Sequence, residues 1–196
     1  MEFHKLRSNK GNEIYGPLIL KPKVFHDERG FFYENWNFNN FNKIIGKEII
    51  FKQENISFSS KGVLRGLHYQ LDPKSQSKLI RCTKGEVLDV IVDLRLSSET
   101  FGEYISILLS EENKLQFWIP KGFAHGFLTL SEYAEFSYKV DEFWEKSLEK
   151  SISWNDKILN IDWPISRLNG NKVLLSDKDK NAFSLSKAIE EEYIFS

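Results

Sequence analysis

The chain has 196 residues, enough for one domain with a full hydrophobic core and short for two. Its 27 Lys and Arg nearly balance 28 Asp and Glu, which excludes the broad basic field of a general nucleic-acid binder and leaves any anionic ligand to local cations. The opening MEFHKLRSNKGNE has no apolar core of signal-peptide length, and no run of about 18 apolar residues occurs anywhere, so a soluble, cytoplasmic protein without membrane contact is expected.

In chain order, FNNFNKII closed by Gly46 predicts a short helix. GVLRGLHYQ then reads as a strand carrying His68. From Lys78 to Val140 the runs KLIRC, VLDVIVDL, EYISILL, LQFWI, HGFLTL and YAEFSYKV are β-type, each broken by a turn-rich interval such as TKGE, RLSSETFG or PKGF. Strands at this spacing, with no helical pattern between them, predict an antiparallel sandwich or barrel. In VLDVIVDL the set Leu88, Val90, Val92 and Leu94 is wholly apolar, while the other contains Asp89 and Asp93. One face is therefore expected in the core, the other against water or a site. SLSKAIEEE predicts a second helix with Glu190 to Glu192 on a solvated face, and the tail after Trp163 is expected to pack on the barrel as part of one domain, 1–196. The lone Cys82, in the apolar KLIRC, cannot form an internal disulfide and is expected to be a buried, inert thiol in a reducing compartment.

Two of the four histidines lie in glycine-bounded strands, His68 in GVLRGLHYQ and His125 in IPKGFAHGF. A barrel with a PxGxxH element (Pro120, Gly122, His125) resembles the cupin superfamily, whose metal-binding members need two histidines separated by one residue plus a carboxylate. Here that place reads His68, Tyr69, Gln70, and His4 and His26 lie far away, so no metal is expected. An imidazole without a metal titrates near 6.5 and suits proton abstraction. The plain alternative makes His68 and His125 hydrogen-bonded core residues. Against it stand the cations Arg65, Lys78 and Arg81, costly to bury without an anionic ligand or partner. Arg65, three residues before His68, falls on the opposite pleat of a regular strand.

The strings DERGFFYENW, GVLRGLHYQ, KLIRCTKGEVLDVIVDLR, ENKLQFWIPKGFAHGFL, AEFSYKVDEFW, WNDKILNIDWP and LSDKDK follow one another across nearly the whole chain. Together they closely resemble the dTDP-4-dehydrorhamnose 3,5-epimerase family of cofactor-free sugar-nucleotide epimerases. The resemblance implies an all-β, cupin-like jelly roll (an antiparallel double-stranded β-helix) with a few short peripheral helices. It implies His68 as catalytic base, Asp179 as its dyad partner, Tyr138 as proton donor on the opposite face of the sugar, and Lys78 beside the keto oxygen, with His125 a further substrate contact. It also implies nucleotide contacts from Arg29, Phe32, Glu34, Gln53, Glu54, Asn55, Arg65, Glu149 and Lys178, with Trp144 stacking on the base.

The implied substrate is a dTDP-linked 4-keto-6-deoxy hexose, epimerised at carbons 3 and 5. The implied assembly is a homodimer whose DERG segment reaches the neighbouring site. Two departures from the family pattern stand out: Ser77 replaces the glycine before the lysine, and tryptophan replaces tyrosine or phenylalanine at position 144. Without the resemblance, Arg29 and Glu34 would read as a surface pair, Trp144 as packing, and Lys178 with Asp179 as the end of a turn. A single-carbon epimerase, a ketoisomerase, an epimerase of a GDP-linked heptose and a non-catalytic sugar-nucleotide-binding cupin are the other readings these residues allow.

Overall fold

The structure, a computed structural model, describes residues 1–170 and 172–196. Two antiparallel sheets face each other. One has six strands in the order β1 (Glu2–Arg7), β2 (Glu13–Lys21), β10 (Gln116–Ile119), β7 (Lys78–Lys84), β12 (Tyr133–Val140) and β5 (Gln53–Ser60). The other runs β13 (Glu149–Ser151), β6 (Leu64–Gln70), β11 (Phe123–Thr129), β8 (Glu86–Asp93) and β9 (Tyr104–Ser110). A small hairpin, β3 (Phe25–Asp27) with β4 (Gly30–Phe32), stands apart from both. All six β-type runs between Lys78 and Val140 are strands, and the architecture is the expected cupin-like jelly roll.

The inner faces share a core in which Ile80, Cys82, Phe117 and Phe136 of the larger sheet meet Val87, Ile91, Ile105 and Phe127 of the smaller. Cys82 is fully buried there, and burial pushes its thiol up to about 12, which removes the reactive thiolate. The outer face of the smaller sheet is covered by the C-terminal segment. Val90, Val92 and Leu94 pack against Ile152, Leu159, Trp163 and Leu185. For VLDVIVDL the apolar set is core as expected, and the other set meets no water: it is buried too, with Asp89 against His125. The apolar set faces the C-terminal cover, while Val87, Asp89 and Ile91 point into the sandwich. Asp93 is buried as well, accepting hydrogen bonds from Arg95, Ser98 and Thr100.

Helix α1 (Phe38–Ile45) begins where Asn37 accepts the backbone N–H of Asn40 and ends at Gly46, whose φ of 77° forms a left-handed cap. It covers the outer face of the larger sheet by driving Phe41 against Leu20, Leu79 and Trp118. Helix α2 (Asp177–Lys180) and α3 (Leu185–Glu190) follow in the tail, each capped by a serine, Ser176 and Ser184. Glu190 to Glu192 are exposed as expected.

Candidate active site

A cavity of about 480 Å³ opens between the two sheets. The smaller sheet supplies Arg65 and His68 from β6, His125 and Phe127 from β11, and Glu149 from β13. The larger supplies Gln53, Asn55 and Ser57 from β5, Lys78 from β7, and Phe136 and Tyr138 from β12. Phe127 and Phe136 come from opposite sheets and stack with ring centroids 4.3 Å apart.

Arg65 and His68 share the cavity although regular alternation puts them on opposite pleats. The register explains the correction. His125 pairs with His68 but Phe127 pairs with Arg65, so two residues of β11 span three of β6 and the bulge turns Arg65 inward. Glycine is required at this crossing. A Cβ on Gly66 (φ 122°) would lie 2.5 Å from Cα of Gly126, and one on Gly126 would lie 2.6 Å from the carbonyl oxygen of Arg65.

His68 Nε2 lies 2.5 Å from Asp179 Oδ1. The tail reaches β6 through backbone bonds from Leu64 N–H to the Leu174 carbonyl and from Leu174 N–H to the Gly62 carbonyl, which set α2 beside the imidazole. Ser176 caps α2 and donates its hydroxyl to the second oxygen of Asp179 at 2.8 Å. Asp179 is only 3% exposed. Burial pulls its carboxyl up, but hydrogen bonds from His68 and Ser176 hold it below the usual carboxylate range. Burial carries His68 below its ordinary value despite Asp179, so the imidazole is neutral near pH 7. With Nε2–H donating to the carboxylate, Nδ1 keeps the basic lone pair.

His125 repeats the pattern, with Nε2 at 2.8 Å from Asp89 Oδ2; Asp89 is fully buried and His125 nearly so. Burial lowers the imidazole well below its ordinary value and raises the Asp89 carboxyl well above its own. Lys78 Nζ reaches the backbone carbonyl of His68 at 3.5 Å, and burial brings its ammonium down to about 8, with Glu149 and Asp89 opposing. Serine at position 77 leaves the lysine in the cavity: its N–H donates to Asp141 Oδ1 at 2.7 Å, and its φ is not left-handed. Burial raises the Tyr138 phenol above its ordinary value and keeps it protonated.

Glu149 and Lys178 pair at 2.7 Å on the cavity wall, and Trp144, 53% exposed, lines it too. Four expected residues lie elsewhere. Arg29 is 86% exposed and pairs with Asp27 on the β3–β4 hairpin, Phe32 is exposed on the same hairpin, and Glu34 accepts from Asn37 and Asn40. Glu54, between two inward-facing neighbours, turns to the outer face and pairs with Lys139 at 2.6 Å. Arg81 also faces outward, donating to Asn35 and to the Tyr33 hydroxyl. Ser57 and Gln76 line the cavity and escaped the sequence reading. Ser57 follows Gln53 and Asn55 at period two, a signal that could have found it. Its buried hydroxyl has no hydrogen-bond partner among the described residues.

The donors do not fit the metal site of metal-binding cupins. Each cavity imidazole is committed through Nε2 to one carboxylate, and the Gln70 amide faces backbone groups of Lys74, Phe143 and Glu145. Among the described residues no group of three or more His, Cys, Asp or Glu is placed to hold an ion.

A family model described as dTDP-4-dehydrorhamnose 3,5-epimerase matches residues 11–187. The chain is 52% identical over 181 residues to the dTDP-4-dehydrorhamnose 3,5-epimerase of Shigella flexneri, covering 92% of this chain and 96% of that protein. Its fold is similar to the crystal structure of dTDP-6-deoxy-D-glucose-3,5-epimerase from Legionella pneumophila in complex with dTDP-4-keto-L-rhamnose, with a TM-score of 0.88, 44% identity, and 99% and 98% of the two chains covered. A 3′-monoepimerase from Streptomyces bikiniensis in complex with dTDP-quinovose is similar at a TM-score of 0.86 and 30% identity, with 92% and 89% covered.

Proposed function

Since the chain belongs to the dTDP-4-dehydrorhamnose 3,5-epimerase family, we propose that it converts dTDP-4-dehydro-6-deoxy-D-glucose to dTDP-4-dehydro-L-rhamnose by inverting carbons 3 and 5. The observation that carries this reading is the placement of His68 and Tyr138 on opposite walls of one cavity, with Lys78 lining it too.

Both reacting hydrogens are α to the 4-keto group, so each leaves as a proton once the enolate is stabilised. Nδ1 of His68 takes the proton, a step that general-base catalysis accelerates by about 10²–10⁴. Asp179 accepts the far N–H and favours the imidazolium that forms. The Lys78 ammonium faces the keto oxygen as it gains charge, a contribution of about 3 kcal/mol for one well-placed donor. Tyr138 then delivers its phenolic proton to the other face of the carbon. Solvent reprotonates the phenolate and takes the proton from His68. No redox step or prosthetic group enters.

Arg65 and Lys178 bind the diphosphate, Gln53 and Asn55 the nucleoside, and His125 the sugar, while Trp144 stacks on the base. The exposed hairpin with Arg29 and Phe32 supports a homodimer in which each copy lends this segment, with Glu34, to its neighbour. Ile56, Phe58 and Tyr133, exposed on the outer side of β5 and β12, supply apolar surface for the contact. Residues 1–196 act as one functional domain. Among the described residues no helix is long and apolar enough to cross a membrane, and the proposed site of action is the cytoplasm.

The test is incubation with dTDP-4-dehydro-6-deoxy-D-glucose in D₂O, followed by NMR. Deuterium at carbons 3 and 5 with formation of the L-rhamno ketone is the expected result. Deuterium at one carbon alone would make the protein a monoepimerase, and binding without exchange would make it a sugar-nucleotide-binding module. Sedimentation at a mass twice that of the 23.0 kDa chain is expected for the dimer.

A further inference from the structure

Gln70 occupies the place at which a metal-binding cupin carries its second histidine, and the chemistry above gives it no part. Yet its side chain is 3% exposed and makes three hydrogen bonds. Its Nε2 donates to the carbonyls of Lys74 at 2.6 Å and Phe143 at 3.2 Å, and its Oε1 accepts the N–H of Glu145 at 2.7 Å. These contacts bracket Trp144 on both sides.

Two further amides hold the same irregular segment, 142–145. Gln53 Oε1 accepts the N–H of Trp144 at 3.1 Å, and Gln76 Nε2 donates to the carbonyl of Glu142 at 2.9 Å. Gln53 and Gln76 line the cavity, whereas Gln70 lies behind it. The Trp144 indole is half exposed, so its direction is set by the backbone of its segment more than by packing around the ring.

We propose that Gln70 is a positioning residue for nucleotide recognition, fixing the 142–145 segment so that the face of Trp144 is presented to the base before substrate arrives. The inference rests on the reading of Trp144 as the stacking residue. A segment ordered in advance costs less conformational entropy on binding than one ordered by the ligand. Losing Gln70 therefore weakens binding without touching an atom of the nucleotide.

The experiment is a double-mutant cycle read by dTDP affinity from calorimetry and by steady-state epimerisation. Gln70→Ala is expected to weaken dTDP about tenfold, within the reach of one lost base stack, and to raise KM more than it lowers kcat. Gln70→Glu keeps the shape and the acceptor for Glu145 N–H but sets a carboxylate against two carbonyls. It is expected to weaken dTDP in the same direction, and it serves if the alanine variant fails to fold. In a Trp144→Ala background the Gln70 substitutions are expected to cost less than about twofold, because the group they position is gone. Equal losses in both backgrounds, or a fall in kcat with KM unchanged, would overturn the inference. Weaker binding in Trp144→Ala with none in either Gln70 variant would overturn it while leaving the stacking reading intact. Undiminished affinity in Trp144→Ala would remove the stacking reading, and the inference with it.

Discussion

Asp179 holds its carboxylate 2.5 Å from the imidazole of His68 across 111 residues of chain. The pairing fixes which nitrogen carries the proton and which is basic. In His68→Asn, turnover is expected to fall by about 10²–10⁴ while dTDP affinity stays within a few-fold. Full exchange at carbons 3 and 5 in that variant, followed by NMR in D₂O, would remove His68 from the base role.

Asp179→Asn keeps the shape of the contact but no longer stabilises the imidazolium. A loss of roughly tenfold to a hundredfold in kcat is expected, with KM little changed. Ser176→Ala removes both the cap of α2 and a hydrogen bond to Asp179, and should destabilise the protein by about 1 kcal/mol in denaturant titration.

The pH profile follows from two depressed groups. Lys78, brought down to about 8, is charged below that value and loses its charge as pH rises through it. If the ammonium stabilises the enolate, kcat/KM should decline above about pH 8, approaching tenfold per unit. His68, depressed by burial, stays basic to a pH below its ordinary value, so the acid limb should begin on the acidic side of 6.5. A rate still rising through pH 9.5 would contradict the role given to Lys78.

Chelation tests the mismatch between this donor set and a metal site. Prolonged EDTA treatment should leave exchange and epimerisation unchanged. Loss of activity restored by zinc or manganese would refute that.

Gly66 and Gly126 make the bulge that turns Arg65 inward. Alanine at Gly66 meets backbone at 2.5 Å in a left-handed conformation, and a loss of about 3 kcal/mol is expected in urea unfolding. With Arg65 proposed to bind the diphosphate, Gly66→Ala should also weaken dTDP binding by turning that side chain out of the cavity.

The strands from Lys78 to Val140 were legible because period-two alternation is local, and α1 because Gly46 writes its end into the sequence. By contrast β1 (EFHKLR) is an edge strand with almost no buried face, so it lacks the pattern that announces a strand. The burial of both faces of β8 was hidden because its cover, Leu159 and Trp163 among others, lies more than sixty residues downstream. Spacing alone placed Arg65 and His68 apart. The bulge that unites them depends on β11 and its Gly126. His68, Lys78, Tyr138 and Asp179 were singled out through the ordered motifs that carry the family resemblance, but what brings the first three to one cavity is strand order, and what brings Asp179 to His68 is the docking of the tail on β6.

The stacked rings of Phe127 and Phe136 bridge the two walls, one ring from each. Imidazole and phenol belong to different sheets, and this aromatic pair, lining the same cavity, joins the two sheets that carry them. Shaving one ring to leucine would loosen the contact between those two walls while leaving His68, Lys78 and Tyr138 in place. The expected sign is a divorce of two rates: deuterium would still enter the substrate, but fewer of those events would end with the carbon turned over.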